Sequence, residues 1–183
     1  MNLKNTTQNF GMIAILLHWL MALIIIAMFI LGKYMVDLDY YDTYYHIAPW
    51  WHKSFGLLIA FLWLFRLFWK LSNPKVKPLS THTKKELLAA KTLQIVLYVL
   101  ILVCCFSGVM ISTAEGAGVS FFDLFEIPAF LANGESQAEF AEEVHEFATT
   151  GLIILAAVHM LAALKHHFID KDKTLIRIFK PRA

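Results

Sequence analysis

Four long stretches of the chain are almost purely apolar, and the charged residues fall in the gaps between them. They run over about residues 11–32, 50–69, 87–112 and 144–164. The first, Gly11 to Gly32, contains no charge and one strongly polar side chain, His18. As a helix its 22 residues rise about 33 Å, enough to cross a hydrocarbon core of roughly 30 Å. It is too long for the core of a signal peptide and has no obvious small-residue cleavage site after it, so it is expected to be retained. Pro49 is well placed to start the second helix. Trp50, Trp51 and Trp69 fall near span ends, where interfacial aromatics belong. The pattern predicts one all-α domain over residues 1–183, an integral membrane four-helix bundle.

Composition agrees: 58 % of residues are hydrophobic and 16 % charged, against roughly half and a quarter in soluble domains. The net charge of +2 hides a segregation. Lys70, Lys75, Lys77, Lys84 and Lys85 lie between spans two and three, and a basic tail from Lys165 to Arg182 follows span four. The other two loops and their flanks hold eleven acids, from Asp37 to Glu146, against Lys33 and Lys53, a balance of 2 − 11 = −9. By the positive-inside rule both termini and the middle loop are cytoplasmic, and loops one and three face the periplasm of a bacterium. No basic cluster with interleaved loop aromatics points to nucleic acid. The segment Glu115–Glu143 is too polar to span. Its phenylalanines suggest either a short amphipathic helix on the membrane surface, ended near Pro128, or an ordered cap.

Four of the eight histidines lie within or at the ends of spans, where an ionisable group is expensive and usually functional. His145 and His159 are 14 residues apart on one helix. That spacing turns about 1400°, within 40° of four full turns, and rises about 21 Å. Both rings therefore share a face but cannot reach one metal. Two cofactors, one near each membrane surface, can be reached. His18 matches His159 in depth, and His52 matches His145 at the opposite surface. Paired neutral imidazoles suit low-spin, bis-histidine haem b. No CxxCH occurs, so covalent haem attachment is not expected. Zinc wants three or four converging ligands, which the spans do not offer. No deep Asp or Glu forms a proton relay with the histidines, and no Cys–Met constellation completes a copper site. Cys104 and Cys105 are adjacent on a helix and diverge, which argues against a disulfide or a zinc site.

Arg66 stands 14 residues after His52, on the same face. It either pairs with haem propionates or snorkels to headgroups. Gly56, one turn after His52, either makes room for a flat macrocycle or packs helices. His166 and His167 lie in an interfacial basic segment and read as a snorkelling pair rather than as ligands. His46 and His82 read as solvated loop residues.

These residues resemble the bacterial cytochrome b561 family, four-helix di-haem proteins of the inner membrane, over nearly the whole chain. The resemblance rests on His18-Trp19, on His52-Lys-Ser-Phe-Gly56 followed by Arg66, and on Val144-His145 with Ala157-Val-His159. The tail from His166-His167 through Asp172, Thr174 and Arg177 is its most specific part. It implies that His18, His52, His145 and His159 are the axial ligands of two b haems. It also implies electron transfer from a periplasmic donor, superoxide in some members, to membrane quinone. Members often carry histidines early in span three, where this chain has Lys91 and Gln94. Lys91, Gln94, His166 and His167 are then the candidate quinone contacts.

The expected function is a transmembrane electron conduit, an oxidoreductase in which the iron does the redox chemistry. The acidic loops suit a cationic redox protein as donor better than they suit superoxide. A different class is a haem-bearing anchor that relays electrons for a larger redox complex, and a third is a non-redox haem sensor. Co-purification with a soluble redox subunit would mark the second.

Overall fold

The structure, a computed structural model, describes residues 2–179; the expected basic residues Lys180 and Arg182 lie outside them. Four helices dominate: α1 over Met12–Val36, α2 over Ile47–Ser72, α3 over Lys84–Thr113 and α4 over Glu135–Phe168. All four are long and apolar enough to cross a membrane. Leu16, Leu23, Phe68, Leu102, Ile154 and many other large apolar side chains are exposed on the bundle surface. A helical bundle in lipid turns such residues outward, because its solvent there is hydrocarbon.

α2, α3 and α4 outrun their apolar stretches for local reasons. At α2, His46 is the flanking residue and Pro49 falls within the first turn, where its missing N–H costs nothing. At α3, Thr83 and Glu86 form a reciprocal capping box, a Thr-x-x-Glu signature readable in the sequence. α4 begins at Glu135, nine residues before its apolar part, and its 34 residues extend about 51 Å. Gly134 opens it with φ +67°, a conformation that favours glycine, while its N–H donates to the Ala114 carbonyl. Gln137 and Ala141 are buried in the extension, and the Gln137 amide donates to the carbonyls of Met110 and Leu131.

Of the two readings of the segment between spans three and four, the amphipathic helix is not there and an ordered cap is. Val119–Phe121 (β1) and Phe125–Ile127 (β2) pair antiparallel in register Val119 with Ile127 and Phe121 with Phe125. Apolar side chains at 119, 121, 125 and 127 alternate along the two strands, and Gly116 and Gly118 precede them. The spacing through 121, 122, 124, 125 and 127 imitates a helical stripe, but the alternation carries the pairing. The turn holds Phe122 and Asp123 at φ +49° and +58°. The Ser54 hydroxyl accepts from the Phe122 N–H at 3.1 Å, and the Trp50 indole donates to Asp123 at 3.1 Å. Phe122 packs on Trp50, Trp51 and Phe55, and Phe121 on Phe61. The hairpin thus lies along the first part of α2.

At the opposite end the N-terminus, the α2–α3 loop and the tail are knit together. The Lys77 N–H donates to Thr7 and the Asn5 N–H to the Asn73 side chain. The Trp19 indole donates to the Ile178 carbonyl at 2.8 Å, with Phe179 stacked near it. Arg177 donates to the carbonyls of Lys77 and Gln8.

α1 packs chiefly on α2 and α3 on α4, whereas α4 touches α1 little. Met21, Met28 and Ile59 form one buried apolar cluster, and Cys104, Ala148 and Leu152 another.

Candidate cofactor site

The structure brings the four span histidines together in two pairs. His18 faces His159 with ring centres 6.3 Å apart and planes at 71°. His52 faces His145 at 6.2 Å and 69°. Imidazoles bound on opposite sides of one metal, each through a bond of about 2 Å, have ring centres roughly 6 Å apart. Both pairs therefore fit one six-coordinate iron each. The apolar clusters around Met21, Met28, Ile59 and Leu152 lie between the pairs and keep water from the middle of the bundle.

Hydrogen bonding around the rings is unequal. His145 Nδ1 lies 3.0 Å from the Cys104 carbonyl and 3.0 Å from the Ser107 hydroxyl. A carbonyl only accepts, so Nδ1 carries the proton and Nε2 keeps the lone pair that a metal needs. Ser107 is buried and its hydroxyl also donates to Val103. His52 Nδ1 is buried without a partner.

At the other pair, Arg66 turns inward rather than out to headgroups. One of its guanidinium nitrogens stands 3.1 Å from His18 Nδ1. Guanidinium has no lone pair to offer, so Nδ1 accepts and the His18 proton sits on Nε2. Ligation through Nε2 requires the other tautomer, and Arg66 must then release His18 and point its charge elsewhere in the same space. Tyr98 lies beneath both Arg66 and Lys70, at 5.8 and 4.7 Å from its ring centre.

Two glycines that sequence reasoning passed over sit against the hairpin-end pair. A Cβ on Gly32 would stand 3.2 Å from His52 Cε1, and one on Gly108 would stand 3.3 Å from His145 Cε1. Any side chain there crowds a ring. Gly56, by contrast, would meet only the Met28 methyl at 4.0 Å, and its carbonyl faces the Cys105 thiol at 3.8 Å.

Lys91 and Gln94 are exposed on α3, and among the described residues neither side chain makes a hydrogen bond. His167 packs on Phe168, with its Nδ1 buried and unpartnered. His46 is exposed. His82 is not the solvated loop residue expected from sequence: its side chain is 15 % exposed and contacts Asp172 and Thr174 at 3.0 and 3.1 Å. Burial raises the Asp172 pKa, but the Thr174 N–H and hydroxyl and His82 outweigh it and hold the carboxyl below the ordinary range.

Residues 9–181 match the family model described as prokaryotic cytochrome b561. The chain is 42 % identical over 178 residues to cytochrome b561 homolog 2 of Escherichia coli strain K12, covering 97 % of this chain and 95 % of that protein. It is 31 % identical over 134 residues to cytochrome b561 homolog 1 of the same strain, covering 72 % and 74 %.

Proposed function

Since the chain belongs to the cytochrome b561 family of membrane haem b electron-transfer proteins, we propose that it carries electrons from a periplasmic donor to membrane quinone through two bis-histidine haems. Two ring pairs with a metal's span between them, one toward each end of a single helix, carry this reading. His18 with His159 and His52 with His145 would hold the two haems. Bound haem iron supplies reversible one-electron redox chemistry. The chain supplies the rest. Ser107 and the Cys104 carbonyl fix the His145 tautomer, Gly32 and Gly108 admit the rings, and Arg66 offers its charge to a propionate once it leaves His18. The bundle is a bacterial inner-membrane protein with both termini cytoplasmic. A phosphatase fused after Asn133 is accordingly expected to be active, and one fused after Ala183 silent. The reverse pattern would invert the direction of electron flow.

Quinone meets the cytoplasmic end, where Lys91, Gln94, His166 and His167 are the candidate contacts. At the periplasmic end the charge pattern selects the donor. Lys33 is paired with Glu146 at 3.1 Å, which leaves Lys53, beside His52, as the one periplasmic cation without an ion-pair partner among the described residues. The acidic surface around it favours a cationic redox protein and repels superoxide except at Lys53.

The test is stopped-flow haem reduction, with quinone present, across an ionic-strength series. Superoxide is expected to react below the diffusion limit and faster as salt screens the repulsion, and a cationic cytochrome to react more slowly with salt. Near-diffusional superoxide kinetics that fall with salt would instead make superoxide the natural donor. Reduction by neither donor, or no quinol formed, would sink the conduit.

A further inference from the structure

Beyond the His18–His159 pair, the end of α4 meets the α2–α3 loop and the tail in a second group of side chains with metal-ligand chemistry, which the proposed haems do not use. His82 from the α2–α3 loop, His166 from the last turn of α4 and Asp172 from the tail converge, with one donor atom from each all within 4.8 Å of one another. Asp172 Oδ2 lies 3.0 Å from His82 Nε2 and 3.5 Å from His166 Nδ1. The two rings have centres 4.8 Å apart. His166 Nδ1 is buried and makes no hydrogen bond, although Asp170 Oδ2 is 2.7 Å away.

The surrounding chain is arranged to aim these donors. Lys171 adopts φ +53°, and this turn brings the Asp172 N–H back to the His166 carbonyl at 3.0 Å. The Thr174 N–H donates to Asp172 Oδ1 at 2.7 Å, which leaves Oδ2 for the histidines. Lys165 takes Asp170 and Glu86 at 2.7 and 3.1 Å. It therefore compensates those two carboxylates and leaves Asp172 as the acid that faces both rings.

We propose that His82 Nε2, His166 Nδ1 and Asp172 Oδ2 form a binding site for a divalent transition metal of the zinc class. Two imidazole nitrogens and one carboxylate oxygen are a borderline donor set, whereas calcium and magnesium prefer all-oxygen shells. Bonds of roughly 2.0–2.1 Å in a tetrahedron put neighbouring donors about 3.3 Å apart. The two distances from Asp172 bracket that value. A water completes the fourth position, beside the Thr174 hydroxyl, which lies 3.1 Å from His82 Nε2. The Thr174 N–H on Oδ1 is the kind of outer contact that orients a ligating carboxylate. Both histidine side chains remain about 15 % exposed, so an ion can arrive from solvent. The metal would fasten loop, helix and tail to one another, and it would leave the His166 Nε2 proton free. The site stands whether or not quinone docks nearby.

The experiment uses untagged, full-length, haem-loaded protein in detergent, titrated with Zn2+ against a chromophoric chelator. One Zn2+ per chain is expected, held at least about ten-fold more tightly than by Asp172→Asn or His82→Gln. His46→Gln should bind as wild type does. Zinc K-edge absorption of the wild type should show two imidazoles, and this decides the matter if a variant loses its haem spectrum. Equal affinity in wild type and ligand variants, or a shell of oxygen alone, overturns the site.

Discussion

Replacing His18 or His159 by alanine is expected to remove one and the same haem, taking the pyridine haemochrome ratio from two per chain to one. Replacing His52 or His145 should remove the other. Each pair closes on a shared space, 6.3 and 6.2 Å between ring centres. Losing one imidazole leaves the iron a single protein ligand in an apolar surrounding, so the loss should approach completeness rather than a shift in potential. The paired variants must also lose the same α-band component at low temperature. If His18→Ala and His52→Ala share a lost component, the pairing is wrong. If all four variants keep both, the histidines are not the ligands.

Gly32→Leu and Gly108→Leu should empty the His52–His145 site alone, although neither residue has an atom that could bind iron. A Cβ at either position already stands 3.2–3.3 Å from an imidazole carbon, and a branched side chain must displace the ring. Alanine at the same positions is a gentler form of the test. It raises intrinsic helix propensity by about 1 kcal/mol while pressing on a ligand whose placement is commonly worth ten- to a hundred-fold in affinity. Thermal stability of the haem-free protein and haem occupancy should therefore move in opposite directions. Gly151→Ala is the control, because a Cβ there meets nothing within 4 Å. Normal occupancy in Gly108→Leu would mean that the ring is not held where the structure has it.

How much of this was readable beforehand depended on whether one helix alone carried the signal. The spans, the 14-residue step from His145 to His159 and the step from His52 to Arg66 are properties of single helices, and they were legible. The same step from His18 lands on Gly32, so that glycine could have been found by asking what each span offers at both depths. Ser107 and Gly108 could not, because α3 brings no ligand that fixes its rotation. The hairpin was hidden by aromatics whose spacing serves two periods at once, and its pairing is settled by contacts with α2. His82 looked like a solvated loop residue because Asp172, its partner, lies 90 positions away.

The knit end of the bundle has a consequence for the order of biosynthesis. Gln8 and Lys77 accept from Arg177, which follows them by 169 and 100 residues. Closing contacts of that separation waits for the chain between them, and Arg177 leaves the ribosome only after every span has been made. Until then the segments around Thr7 and Lys77 have no guanidinium to gather them, and Trp19 has no Ile178 carbonyl to hold. A chain that stops at Phe168 would keep all four spans but lose the contacts that gather this end.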